Sequence, residues 1–283
     1  MKLYELTVLE NVLPMRADKY LKKALPELPE TAVREAFSRK DVKMNGVRIK
    51  ADTQVVPNAV IQVYTAYEKK ETLKIVHEDE NILLLDKPRG ISVHADEGGG
   101  VTILEMAQNY LKGETVFLCH RLDNKTSGLL LLCKDAESES LLREAFYDRT
   151  MGKEYTCLVK GILKPNAAVK EAYLIKNAAE SKVRVITKAT PEAQKIITGY
   201  RVLEEGAVSR VQVELITGRT HQIRAHMAFL GHPILGDDLY GDRAFNKAQK
   251  AKRLMLCASR LTFHVGGKLS YLEGKSFAIE VPF

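Results

Sequence analysis

No apolar run in this chain of 283 residues is of membrane-spanning kind. Beside its most polar cluster the longest is residues 129–133, far below the ~20 residues that a spanning helix needs. The first residues place Glu5 and Glu10 among alternating apolar positions, unlike a basic start followed by an unbroken apolar signal, so neither a transmembrane helix nor export is expected. There are only four cysteines, Cys119, Cys133, Cys157 and Cys257, and no Cys-x-x-Cys pair. That spacing argues against zinc or disulfide exchange and fits small buried thiols in a reducing cytoplasm. The glycine triplet at 98–100 lacks a following Gly-Lys-Ser/Thr, which makes it a flexible turn instead of a phosphate loop. Internal repeats and low-complexity tracts are also missing. The length allows one large domain or two smaller ones.

What is present is basic. The net charge is +7 and the pI about 9.1, a balance that favours a polyanionic partner without identifying it. Residues 12–65 hold ten Lys and Arg against six Asp and Glu, a net of +4. A helix is expected to open at Arg16, to break across residues 26–29, and to be followed by a second from Thr31. In the second, Val33, Ala36 and Phe37 share an apolar face while Arg34, Arg39 and Lys40 stay polar. Asn45-Gly46 between alternating residues of 42–49 signals a β-hairpin carrying Lys43, and 59–64 reads as a closing strand. Residues 66–73 are charged and aperiodic, as expected of a linker.

From Lys74 onward strands and helices mix. Strands are expected around Val76 and at 82–85, a helix opening at Thr102, another over 136–146, then strands at 155–160 and 211–215. Thr220 could cap a further helix and Gly231 could end it. The irregular alternation disfavours a doubly wound fold.

Residues 120–128, His-Arg-Leu-Asp-Asn-Lys-Thr-Ser-Gly, stand directly before the apolar run and hold Arg121, Asp123 and Lys125 together. Charged side chains are almost never buried unpaired, so this is an unusual way to build core. By themselves these residues fit either a functional loop or an Asx turn entering a strand.

This segment resembles the signature of the RluA family of pseudouridine synthases, and the resemblance extends over nearly the whole chain. Residues 153–155, Lys-Glu-Tyr, followed by Leu158-Val159, are similar to a second family motif; residues 217–226, Thr-Gly-Arg-Thr-His-Gln-Ile-Arg-Ala-His, to a third; and Asp86-Lys87-Pro88-Arg89-Gly90 to its opening segment. Residues 12–65 resemble an S4 RNA-binding domain. The resemblance implies an α+β fold with a large mixed or mostly antiparallel sheet and flanking helices, preceded by a small α+β S4-like domain. The organisation it implies is 12–65 for RNA binding, 66–73 as linker and 74–283 for catalysis.

The implied reaction detaches a uracil from its ribose in RNA, turns it and rejoins it through carbon. Cleavage of that kind sets a carboxylate against the anomeric carbon. Asp123 is the candidate, held ionised by Arg219, whose planar fork can grip a carboxylate through paired hydrogen bonds. Tyr155 would stack on the base and assist proton transfer. Arg121 would fill the gap left by the flipped nucleotide, His120 would orient the loop, and His221 and Arg224 would face the RNA. Arg34, Arg39, Lys40 and Lys43 would bind RNA phosphates in the first domain. Leu254 or Leu256 would line the base pocket, with Cys257 expected to pack and not to react. His221 and His226 lie five apart, roughly 140° around a helix, which does not suit zinc. No metal and no cofactor are expected.

The resulting expectation is a monomeric cytoplasmic enzyme acting on large-subunit ribosomal RNA or its precursor particle. Two rivals are the same chemistry on transfer RNA, and a non-catalytic RNA-binding or ribosome-assembly factor. The presence of Asp123, Tyr155 and Arg219 together argues against the last.

Overall fold

In the computed structural model, which describes residues 1–10, 14–25, 28–67, 73–95, 101–177 and 182–283, the chain divides into two units, Met1–Thr72 and Leu73–Phe283. The glycine triplet at 98–100, Pro26 and most of the 66–73 segment lie outside the described residues.

The first unit runs β1 (Lys2–Thr7), α1 (Ala17–Ala24), α2 (Glu30–Ser38), β2 (Val42–Met44), β3 (Val47–Arg48) and β4 (Val60–Thr65). Its sheet has the order β1-β4-β2-β3, antiparallel throughout. Asn45 and Gly46 both have positive φ, 50° and 80°, as a two-residue hairpin turn between right-twisting strands demands. β1 lies upstream of the 12–65 segment and pairs along its whole length with β4, so the alternation at 2–7 is that of an edge strand. Leu21, Val33, Ala36, Val42, Ile61 and Val63 form the core beneath the two helices. That burial leaves Arg34, Arg39 and Lys40 on the outer side of α2 and its C-terminal turn, where Lys40 takes the left-handed conformation that ends many helices.

The second unit runs β5 (Ile75–Glu78), β6 (Ile82–Lys87), α3 (Ile103–Tyr110), β7 (Phe117–Leu118), β8 (Ser127–Cys133), α4 (Ala136–Tyr147) and β9 (Gly152–Lys160). It continues with β10 (Ala167–Asn177), β11 (Lys182–Ile186), β12 (Gln194–Glu204), β13 (Val208–Leu215), α5 (Gln222–Phe229), α6 (Arg243–Ala248), β14 (Leu256–Thr262) and β15 (Ser276–Ala278). The strands form one 11-stranded sheet of order β11-β10-β12-β13-β9-β14-β8-β6-β5, with β15 on β14 and β7 on β8. Among the described residues β14 and β8 make its one parallel pairing. This is the α+β architecture with a large, mostly antiparallel mixed sheet that the sequence led us to expect.

The apolar run of β8 is explained by burial on both faces. Leu130 and Leu132 pack with Leu83 and Leu85 of β6 and with Ile103 and Ile223 of the helices. Leu129, Leu131 and Cys133 pack on the opposite face with Ile82, Leu84, Leu142 and Phe263. Each such leucine contributes about 1.5–3 kcal/mol of burial free energy, so β8 is a rigid base for the loop that precedes it. Gly128 brings β8 against β14: at φ 111° a Cβ there would collide with the Ala258 backbone.

α3 starts with a capping box, Thr102 accepting from the Glu105 amide at 3.1 Å while the Glu105 carboxylate accepts from the Thr102 amide at 2.9 Å. α5 starts differently from expectation. Its N-cap is His221 in a left-handed conformation (φ 53°), not Thr220, because Gln222 folds back to accept from the Arg219 amide. No helix among the described residues is long and apolar enough to cross a membrane.

Candidate active site

A cavity of about 590 Å³ opens where the 119–126 loop, the start of β9 and the 215–224 segment meet. Asp123, Arg121, Tyr155, Arg219, His221 and Arg224, spread from position 121 to position 224 of the sequence, all line it.

Asp123 lies in the tight turn that leads into β8, its carbonyl accepting from the Thr126 amide at 3.0 Å. The turn is braced from below by Lys87, which is fully buried at the end of β6. The Lys87 Nζ donates to the carbonyls of Pro88 (2.9 Å), Ile91 (2.8 Å) and Asn124 (3.0 Å), satisfying all three ammonium donors. Burial pushes this amine down to about 8, and the Asp123 charge opposes the shift. Gly90 donates to the same Asn124 carbonyl, and the Asn124 amide to Ser92 Oγ. The sequence places Lys87 in a motif without indicating this task.

His120 orients the loop from the other side. Its Nε2 accepts the Leu131 N–H at 2.9 Å, and its ring packs on Phe146 at 4.7 Å between centroids. Burial, aided by Lys153, pushes it down to about 3, so it is neutral at physiological pH and serves as a hydrogen-bond acceptor for the backbone.

The arginine at the carboxylate is Arg224, and the clamp expected of Arg219 is not formed. Arg224 is 3% exposed; its Nε and one terminal nitrogen donate to Asp237 at 2.8 and 2.9 Å, leaving Nη1 at 3.7 Å from Asp123 Oδ2. Its guanidinium also sits over the Tyr240 ring at 5.3 Å. Burial opposes the charge, but hydrogen bonding and attraction from Asp237, with attraction from Asp123, outweigh it and hold Arg224 above its ordinary value. Arg219 is exposed at the cavity mouth. The left-handed His221 is the physical reason: it turns the chain between the two arginines, so Arg219 falls before the helix and Arg224 on its buried side.

His221 faces Asp123 at 3.9 Å through Nε2, while its Nδ1 meets the Tyr240 hydroxyl at 3.0 Å. Burial lowers its basicity more than Asp123 restores it. His226, by contrast, is fully buried against Thr198 at 2.9 Å and pushed down to about 4 by burial, far from any shared ligand geometry with His221. Among the described residues no group of His, Cys, Asp and Glu is placed to hold a metal.

Tyr155 stands in β9 between Val213 and Ala258 and is 8% exposed. Burial first, then the Asp123 carboxylate, push its phenol well above the ordinary value, so it keeps its proton and has an O–H to donate. Of the two candidate leucines, Leu256 lines the cavity and Leu254 is buried in the core. Cys257 is buried opposite Ser127, as expected of a packing residue.

The arrangement is a half-buried carboxylate faced by one buried arginine, in a cavity that also holds a protonated phenol and the Leu256 side chain. It suits stabilising an electron-poor sugar carbon beside a flat uncharged base.

Residues 81–229 match the family model described as RNA pseudouridylate synthase. The chain is 35% identical over 277 residues to the ribosomal large subunit pseudouridine synthase C of Vibrio cholerae serotype O1, covering 90% of this chain and 86% of that protein. It is 31% identical over 290 residues to the protein of the same name from Escherichia coli K12, covering 94% and 89%. Among solved structures it resembles human RNA pseudouridylate synthase domain containing 1, with a TM-score of 0.64, 24% identity and coverage of 77% and 87%. It also resembles human RNA pseudouridylate synthase domain containing 4, with 0.61, 26%, 74% and 88%.

Proposed function

Because the chain belongs to the RNA pseudouridylate synthase family and is an enzyme that isomerises uridine in RNA, we propose that its substrate is large-subunit ribosomal RNA and that Asp123 is its catalytic carboxylate. The observation that carries the second part is the Asp123–Arg224–Asp237 arrangement. Arg224 is anchored through two nitrogens on a buried acid and directs its third toward Asp123 at 3.7 Å, so a fixed positive charge faces the carboxylate.

In this reading a target uridine flips out of its helix into the cavity, at a cost of a few kcal/mol, and Arg121 on the exposed loop occupies the space it leaves. Asp123 meets the anomeric carbon as the bond to nitrogen weakens. Tyr155 and Leu256 hold the uracil while it turns, and the protonated Tyr155 hydroxyl donates to its edge. His120 holds the loop, His221 and Arg219 face the RNA at the mouth, and no metal or cofactor takes part.

The first unit is the S4-like RNA-binding domain in this scheme, with 66–73 as linker and 74–283 as the catalytic domain. Two short helices, a hairpin closed by Asn-Gly and exposed Arg34, Arg39 and Lys40 support that assignment, with Lys43 half-buried over the Tyr64 ring at 5.4 Å. The names of the curated relatives favour ribosomal over transfer RNA. Mapping pseudouridine across total cellular RNA with and without the gene tests this directly. Loss of sites in large-subunit ribosomal RNA is expected; loss confined to transfer RNA overturns the ribosomal reading, and no loss anywhere overturns both.

A further inference from the structure

Part of the cavity wall is made by the end of α4 and the start of β9, and it carries positive charge that acids among the described residues neutralise only in part. Arg143, Phe146, Tyr147, Arg149 and Lys153 line it. Arg143 is paired with Glu139 one turn earlier. Arg149 and Lys153 have no hydrogen bond or ion pair to an acid among the described residues. The Lys153 ammonium sits over the face of Phe146, 5.6 Å away. Burial, and then the neighbouring Arg149, lower the basicity of Lys153, so the two cations stand close enough to repel.

Holding a half-desolvated ammonium beside a guanidinium without a carboxylate is unfavourable in the free protein, and an arriving anion reverses the sign of that contribution. Next to the pair, Tyr147 is 85% exposed, more than any other large apolar side chain described. It is the last residue of α4, and the chain then turns through Arg149 at φ 63° into β9, so the aromatic face and both cations are held on one short, well-anchored segment. An unpaired cation pair together with a solvent-facing aromatic ring is the combination that single-stranded nucleic acid uses, phosphate on the charges and base on the ring.

We propose that Tyr147, Arg149 and Lys153 form a subsite for a nucleotide flanking the target uridine, its phosphate between Arg149 and Lys153 and its base stacked on Tyr147. The subsite rests on the RNA reading above and adds to it a direction: the strand leaves the cavity over the α4–β9 turn. It lies apart from Asp123, so it should govern how substrate is held more than how fast the bound uridine reacts.

Two probes separate this subsite from the choice of natural target. Binding of the full-length chain to single-stranded oligouridylate over a salt series tests the subsite alone, and turnover of an in vitro transcript of large-subunit ribosomal RNA tests the ribosomal reading. Arg149→Asn is preferred to alanine because asparagine tolerates the left-handed backbone. With Lys153→Gln it should weaken oligouridylate binding at least tenfold and flatten log affinity against log salt by about one unit or more, as expected when one or two phosphates are no longer neutralised. Tyr147→Ala, a surface change that leaves the core intact, should weaken binding at least fivefold with the slope unchanged. On the transcript the same variants should raise KM by more than they lower kcat. Lys275→Gln, which removes an exposed charge outside the cavity, sets the background. Variants indistinguishable from Lys275→Gln in oligouridylate affinity and slope overturn the subsite, as does failure of the parent to bind oligouridylate. An inactive parent on the transcript, with the binding effects intact, overturns only the ribosomal reading.

Discussion

The Lys87 ammonium lies 3.0 Å from the carbonyl of Asn124, the residue after Asp123, and ties the end of β6 to the loop that carries the carboxylate. It holds two further carbonyls, so its three protons are all committed, and a neutral amine with two protons could not keep all three.

Activity should therefore fall as pH rises through about 8, where Lys87 loses its proton. The effect on global stability has the opposite sign. Between a folded value of about 8 and an ordinary value of 10.5 the unfolded chain holds more protons, so the Lys87 contribution to stability becomes more favourable as pH rises through that window. Lys87→Met should lower kcat at neutral pH by roughly tenfold or more and remove this alkaline limb. A pH–rate profile of Lys87→Met that keeps the parent's limb would assign it to another group.

Asp123→Asn keeps shape and most hydrogen bonding while removing the charge that faces Arg224. Turnover should drop by about 10³-fold or more, because a preorganised charge facing the reacting carbon has no substitute there. Affinity for RNA and the melting temperature should stay close to the parent's. Activity within tenfold of the parent would remove Asp123 from the mechanism.

Arginine-to-lysine exchanges distinguish the two arginines of the 217–226 motif. Lysine at 224 cannot span Asp237 and Asp123 together, so Arg224→Lys should cost at least tenfold in kcat, and Arg219→Lys at the exposed mouth much less. Arg224→Lys should also lower the melting temperature, since leaving a buried acid poorly paired costs about 3–5 kcal/mol. The reverse ranking in kcat would return the clamp to Arg219.

How much of the molecule is legible in its sequence depends on how local the cause is. Asn45-Gly46 specifies its hairpin through two backbone angles, and Thr102 with Glu105 specifies a helix start, so both are readable in a few residues. The 129–133 run announces a strand, but not that it is buried on both faces, because that depends on α4 and α5 packing from opposite sides. The site residues are recognisable by motif, yet Arg219 and Arg224 are chemically equal in sequence. Only the left-handed turn at His221 decides which one reaches Asp123, and histidine carries no strong signal for such a turn. The long strands β10 and β12 fall in the 164–208 stretch where the family resemblance is weakest. The role of Lys87 is hidden because its partners are backbone carbonyls, which leave no trace in residue type.

The first unit yields the last expectation. Arg34, Arg39 and Lys40 are exposed on and just after α2, and of these only Arg39 has an acidic neighbour among the described residues, Glu35 at 3.7 Å; Lys43 holds its ammonium over Tyr64. An exposed pair of that kind contributes little, so all four cations are free to meet phosphate. Neutralising them in the full-length chain should weaken binding to a long ribosomal transcript and flatten log affinity against log salt by up to about one unit for each phosphate no longer held. The catalytic rate on bound substrate should change far less, because Asp123, Tyr155 and Arg224 all belong to the second unit. Unchanged affinity and slope would make this basic face a solvated surface and would remove the S4-like assignment, while a collapse of kcat at saturating RNA would show that the first unit helps build the active site.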